Sequence, residues 1–471
     1  MVFSSIVFLC IFLPAILIPY YICPVRIRNF FLLIASLLFY AWGEPTYVWL
    51  LLFSTVFDYL NGRLLEFFHL KRPNYTARRL IVTLSICVNL GLLCYYKYAD
   101  FLIETVNLLS GRNISLLALT LPIGISFYTF QTMSYTIDVY RQKVPVQHNL
   151  ISFGMYVCMF PQLIAGPIVR YRDVQSEIDS RSVSIANCAS GIRRFCIGLG
   201  KKVLFANQIG ILWNEISTLP ASEMSAALAW LGAISYMFQI YFDFSGYSDM
   251  AIGLGELFGF HFPENFHYPY ESKSISEFWR RWHMTLSGWF REYVYIPLGG
   301  NRVSFFRQFL NLLIVWFLTG FWHGAGWNFI LWGLYFFLLL FFEKQYLYKK
   351  LDKLPSILQH LYALFWILFG WVIFACDQPG MLNDYLKMLI SIGVPAINQL
   401  ALYKWTANAL FLIVLGISST NLLKNAVRKI SVYFSDSVLL FLHDIWCFIV
   451  LACSLALLVN GSYNPFLYFR F

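Results

Sequence analysis

The stretch Trp316-Phe317-Leu318-Thr319-Gly320-Phe321-Trp322-His323-Gly324-Ala325-Gly326-Trp327-Asn328 lies inside an apolar run that extends from 308 to 342. About 20 consecutive apolar residues are enough to cross the hydrocarbon core of a bilayer, so the solvent of this run is lipid. His323 is the one ionisable side chain in the quoted stretch. Such a group at membrane depth costs roughly 2–3 kcal/mol or more, and it usually marks a cavity or a functional site. A desolvated imidazole is held neutral and can serve as a general base. The glycines around it let backbones, or a bound chain, approach closely. The bland alternative is a core histidine hydrogen-bonded between helices, and for this residue alone both readings stand.

Working outward, further apolar segments fall near 4–22, 29–42, 46–60, 80–108, 115–139, 225–260, 355–376, 406–423 and 438–460. Residues 150–215 and 262–302 are too polar for simple spans and too aromatic for water. They read as re-entrant or interfacial pieces lining a cavity. The expectation is an all-α, multi-span membrane protein with roughly 11 crossings, in a single membrane domain over 1–471 whose catalytic core covers about 120–345. Composition agrees: the chain is 59% hydrophobic and only 12% charged, against about a quarter charged in a soluble domain. Soluble enzymes, nucleic-acid binders and disordered scaffolds are thereby excluded. The aromatic share of 19% suits interfacial Trp and Tyr belts. The N-terminal run MVFSSIVFLCIFLPAIL lacks a basic leader region and reads as a retained first span. The ten cysteines form no C-x-x-C pair, so no disulfide framework or zinc site is expected.

The net charge of +10 reads as basic loops facing anionic lipid rather than nucleic acid. Arg63, Lys71, Arg72, Arg78 and Arg79 crowd the 62–79 loop; Lys344, Lys349, Lys350 and Lys353 crowd 344–353; Lys424, Arg428 and Lys429 follow. The positive-inside rule makes these loops cytoplasmic and puts the N-terminus and the 461–471 tail outside.

Around Trp279-Arg280-Arg281-Trp282-His283-Met284-Thr285-Leu286-Ser287-Gly288-Trp289-Phe290-Arg291, a helical period sets Arg280, His283, Ser287 and Arg291 on one face. That pattern reads as an interfacial amphipathic helix, although an anchor does not need a histidine among arginines. Two histidines beside Trp and basic or Gly-rich backbone can flank one buried reaction centre. Upstream, Tyr241-Phe242-Asp243-Phe244-Ser245-Gly246-Tyr247-Ser248-Asp249 puts Asp243, Ser245 and Asp249 into an apolar stretch. They orient a catalytic group, pair with basic side chains, or hydrogen-bond helices together. Gly253-Leu254-Gly255 has no βαβ context and reads as helix packing. No metal-ligand pattern is present.

With these blocks the chain resembles the membrane-bound O-acyltransferases, and within them the branch that O-acetylates bacterial polysaccharides such as alginate. The likeness runs through Phe39-Tyr40-Ala41-Trp42, Leu121–Gln131, Phe160–Ile168, Asp243–Asp249, Pro263-Glu264-Asn265-Phe266, Trp279–Trp289, Pro297-Leu298-Gly299-Gly300-Asn301-Arg302 and Trp322-His323-Gly324. The resemblance implies a tunnel or funnel ringed by tilted helices, with His323 as the family histidine and His283 as the second active-site position. It implies acetyl-CoA as donor with no bound cofactor, and substrate contacts from Trp322, Asn328, Arg280, Ser287, Arg291, Asp243, Ser245 and Asp249. It also implies a bacterial inner-membrane location and a periplasmic polysaccharide acetyltransferase of the SGNH type as partner. The Pro297–Arg302 turn favours acetylation over the D-alanylation branch. Acylation of a lipid or protein stays open, as does a transporter, against which no inverted repeat is found.

The ending Asn464-Pro465-Phe466-Leu467-Tyr468-Phe469-Arg470-Phe471 reads in two ways. One is an aromatic interface anchor. The other, from its likeness to an acyl-shuttle ending of polysaccharide-acylation systems, makes Tyr468 an acyl acceptor.

Overall fold

The computed structural model describes the chain except for Ala165, Pro379, Ser462, Phe466, Tyr468, Phe469, Arg470 and Phe471. Its described elements are all helices. Eight are long and apolar enough to cross a bilayer: Val25–Gly43, Tyr75–Ser110, Ile185–Ser217, Phe305–His323, Trp327–Leu351, Ser356–Ala375, Gln399–Ser418 and Asp436–Asn460. The fold is therefore the multi-span helical membrane class, and the roughly 11 crossings counted from apolar segments exceed this set. One reason lies at 115–139. Pro122 and the left-handed Gly124 (φ +76°) delay the helix to Ile125–Tyr140, and the Asp100 carboxylate holds the non-helical chain before it through the Leu117 and Leu119 amides.

Two segment readings are corrected. Residues 150–215 contain, beyond short helices, the long helix Ile185–Ser217, in which Lys202 and Asn207 are buried. The 308–342 run is two helices, Phe305–His323 and Trp327–Phe342, with Gly324 and Gly326 extended between them. The two pack with backbones in contact. A Cβ on Gly320 would meet the Phe329 carbonyl, and one on Gly333 the Trp316 carbonyl. Small residues permit such close approach in membranes, and here they return the chain beside His323.

The described residues fall into two compact units, Met1–Phe195 with Tyr247–Pro263, and Cys196–Gly246 with Glu264–Phe471. In the first, a fully buried Asp58 accepts hydrogen bonds from Ser85 at 2.6 Å, Asn89 at 2.7 Å and Thr136 at 3.2 Å. These ties join three helices, as buried polar groups in membrane bundles do. Gly253 packs on Gly191 in this unit, where a Cβ would lie 2.5 Å from the Gly191 carbonyl. Helix packing thus accounts for that glycine.

The second unit has an aromatic core that includes Trp279, Trp282, Trp316, Trp332 and Trp371. It also has a buried carboxylate with a clear task. Glu343, fully buried, accepts from the Ile275 and Ser276 amides at 2.7 and 2.8 Å. Amides at a helix start have no partner within the helix, and an acidic group there is favoured by the helix dipole. Glu343 therefore fastens the short Ile275–Arg281 helix to the end of the Trp327–Phe342 helix, which fixes where the chain arrives at His283.

Candidate active site

His323 is the last residue of the Phe305–His323 helix and is 5% exposed. Its ring stands edge-on to Trp322, Trp332 and Phe374, with centroids 5.0, 4.9 and 5.5 Å away. The glycine break after it explains the position: the helix stops where Gly324 turns extended, so the imidazole projects from a helix end into an aromatic cage. Trp322 also packs on His283, centroid to centroid 6.0 Å. The two histidines read from the sequence are thus brought to the same indole.

His283 reaches this place by a route the helical period does not describe. The helix expected through Trp279–Trp289 is broken. Ile275–Arg281 and Met284–Phe290 are separate helices, Trp282 is extended, and His283 has φ +42° and ψ +54°. A left-handed non-glycine residue costs on the order of 1–3 kcal/mol and persists only when its surroundings impose it. Asn265 imposes it. Its carbonyl accepts the Met284 amide at 2.9 Å, and its Oδ1 accepts the Thr285 hydroxyl at 2.9 Å and the Thr285 amide at 3.3 Å. One asparagine supplies the cap for the second helix and so replaces the bonds a continuous helix would have made.

The same Oδ1 lies 3.0 Å from His283 Nδ1. An oxygen that already accepts a backbone amide is an acceptor, so Nδ1 carries the proton and donates. In the neutral ring, Nε2 then holds the lone pair. His283 lies outside the candidate spans; burial first, then the nearby His323, holds its pKa well below the ordinary histidine value. Neutral His283, with a fixed tautomer, faces Phe244 edge-on at 4.7 Å.

The other expected site residues separate into groups. Trp322 is buried between the histidines, as above. Asn328 is buried and donates to the Phe374 carbonyl at 2.9 Å, which holds the Ser356–Ala375 helix end against the cage. Ser287 is part-buried, its hydroxyl 3.4 Å from the Trp279 carbonyl. Arg280 and Arg291 are exposed while His283 is 1% exposed. The break at 282–283 therefore removes the shared face on which these arginines were placed. Asp243 and Asp249 do not act as a carboxylate pair, since residues six apart on a helix point about 120° apart. Asp249 pairs with Arg194 at 3.0 Å in the first unit. Asp243 pairs with Lys202 at 2.6 Å in the second, and Ser245 is buried. Tyr468 lies outside the described residues.

Residues absent from the sequence reading also belong here. Asn265 was quoted only as part of a block, and Trp332, fully buried against His323, was not singled out. Its indole N–H has no acceptor among the described residues. The signal for Asn265 was a lone amide between Pro263 and Phe266. Nothing local marked Trp332 among its aromatic neighbours.

Comparison with known proteins identifies the family. A family model described as MBOAT, membrane-bound O-acyltransferase family, matches residues 80–376. The chain is similar to the probable alginate O-acetylase AlgI of Azotobacter vinelandii, 42% identical over 397 residues, which cover 83% of this chain and 79% of the relative. It is 35% identical over 428 residues to the peptidoglycan O-acetyltransferase of Helicobacter pylori, covering 83% and 80%. A teichoic acid D-alanyltransferase of Bacillus subtilis matches over 281 residues at 30% identity, covering 54% and 68%.

Proposed function

The chain belongs to the membrane-bound O-acyltransferase family, and from that premise we propose that it passes acetyl groups from cytoplasmic acetyl-CoA across the inner membrane for O-acetylation of an exported or cell-wall polysaccharide. The observation that carries this reading is the pair of buried imidazoles on one indole, with His283 held neutral and His323 set in an aromatic cage. Relatives named for alginate and peptidoglycan acetylation support the acetyl group and the polymer class.

The chemistry balances with one base and one acceptor. His323 takes the proton of an acceptor hydroxyl, and the freed oxygen attacks the thioester carbonyl. The C–S bond breaks, and coenzyme A leaves as the thiolate, which the imidazolium reprotonates. Charge developing on the carbonyl oxygen is met by fixed donors, a term that typically contributes a few kcal/mol; the Trp332 indole is the local candidate. His283, with its lone pair on Nε2, orients an acceptor hydroxyl. Only acetyl has to cross, so the charged cofactor stays in the cytoplasm. On the reading of the basic loops that puts both termini outside, Tyr468 is the acceptor we propose. A phenol with pKa near 10 gives an aryl ester that transfers readily to a periplasmic SGNH-type acetyltransferase.

Incubating the purified chain with acetyl-labelled acetyl-CoA tests this. Wild-type protein should release free thiol and retain label, whereas Tyr468→Phe, which keeps the ring and loses the hydroxyl, should retain at least about tenfold less. No thiol release and no label with wild type would sink the enzymatic reading and favour transport. Full labelling of Tyr468→Phe would leave the tail an anchor.

His69, His148 and His360 provide the contrast. His148 has a side chain 60% exposed beside Glu66, His69 is exposed, and His360 is part-buried at a helix start. Alanine at each should leave cellular acetylation within about twofold, as for surface positions generally. Loss at all three, assayed by polymer-bound acetate, would point to general destabilisation.

A further inference from the structure

Lys202 and Asp243 pair at 2.6 Å with side chains only 2% and 4% exposed. Two charges taken out of water are tolerated when additional hydrogen bonds complete the site. Here the completing bonds come from one segment. Lys202 Nζ donates to the Pro465 carbonyl, and the Leu467 amide donates to Asp243 Oδ2 at 3.0 Å. Both contacts are to main chain, so the pair grips the backbone whatever the side chains are. Two further residues of the Lys202 helix act on the same segment. Asn207 Nδ2 donates to Asn464 Oδ1 at 3.1 Å, and the Gly210 carbonyl accepts from the Tyr463 hydroxyl at 3.2 Å.

The local helix geometry suits this task. Residues five apart in an α-helix point about 140° apart, which would turn Asn207 away from Lys202. The Lys201–Ala206 stretch is instead a π-helical turn, in which the Asn207 amide bonds the Lys202 carbonyl. The wider turn brings positions 202 and 207 to one face. Leu467, 7% exposed, completes the docking by joining the aromatic core of the same unit.

We propose that Lys202 and Asp243 are positioning residues that clamp the main chain at Pro465 and Leu467 and so deliver Tyr468, the residue after Leu467, for acyl transfer. The proposal rests on the reading of Tyr468 as acyl acceptor. An anchor without a transfer role would be served by apolar packing, whereas a charged pair gripping two main-chain groups fixes register along the segment.

The test is hydrogen–deuterium exchange on the purified full chain in lipid nanodiscs, run beside acetyl labelling from acetyl-CoA. Lys202→Met with Asp243→Leu removes both charges together, so no lone charge is left buried. Exchange of the Leu467 amide should rise at least about tenfold, the loss of a charge-assisted bond, and labelling should fall about as much. The Asp436–Asn460 helix packs against the Lys201–Ala206 turn, so unchanged exchange along it reports that the fold around the pair is intact. Asn207→Ala, which leaves the charges alone, should raise exchange across 463–467 by about fivefold, one neutral hydrogen bond. Unchanged exchange in the double variant would overturn the clamp. Faster exchange with full labelling would overturn its positioning role. Full labelling of Tyr468→Phe is a separate outcome, and it removes the carrier reading rather than the clamp.

Discussion

His323→Ala is expected to lower polysaccharide acetylation by at least about 100-fold, the span usually assigned to a positioned general base, while the protein inserts and accumulates normally. The expectation follows from three features. The imidazole is 5% exposed, so bulk water cannot readily take over the proton transfer. It sits at the end of its helix, before a glycine break, so its removal deletes no hydrogen bond of the helix interior. The cage of Trp322, Trp332 and Phe374 keeps its shape through contacts of its own, including Trp332 on Trp371 and Phe374. Loss of activity without loss of protein is therefore the expected combination. His323→Gln, which fills the space with a side chain unable to hold a proton at neutral pH, should be as inactive as alanine. Polymer-bound acetate in cells, normalised to membrane-inserted protein, is the measurement. Residual acetylation above a few per cent of wild type in either variant would refute the general-base assignment.

The fold class and the burial of an ionisable His323 in an apolar stretch were legible because both are one-dimensional signals. Apolar runs announce spans, and an ionisable residue inside one announces itself. What escaped the sequence depends on partners distant along the chain. Nothing between Arg280 and Arg291 foretells a break, since the segment fits a helical period and its one glycine, Gly288, lies within the second helix. The break is imposed by Asn265, eighteen residues upstream. Asp243 looked like a substrate ligand because Lys202 is far from it in sequence, and Pro465 and Leu467 farther still. Asp58 drew no notice at all. Besides Asn61 on its own helix, its donors Ser85, Asn89 and Thr136 come from other helices, and a single carboxylate in an apolar stretch carries no record of how many hydroxyls and amides will reach it.

The Asn265–His283 contact predicts a second large effect with a pH signature. His283→Ala should lower acetylation by about 100-fold, as for loss of a group that acts in proton positioning. Asn265→Ala should follow it partway, by about tenfold, since it removes the acceptor of the Nδ1 proton and the cap on Thr285, a cap alone being worth about 1 kcal/mol. The informative variant is Asn265→Asp. A carboxylate accepts the same bonds from Thr285 and from Nδ1, so the left-handed turn at His283 should survive. It also places a negative charge 3 Å-class distant from the ring, and an opposite charge that close favours the protonated imidazole. In the wild type burial and His323 keep His283 neutral; in the variant the pKa moves up, so Nε2 becomes protonated at a higher pH than in the wild type. The lone pair that orients the acceptor is then lost below the raised pKa and regained above it. Asn265→Asp should accordingly lose activity as pH falls and recover as pH rises, its profile displaced to higher pH relative to the wild type. Acetyl transfer from labelled acetyl-CoA, followed as a function of pH for both proteins, separates the roles. A variant profile with no displacement from wild type would mean that Asn265 only shapes the chain and that the charge state of His283 is not part of the chemistry.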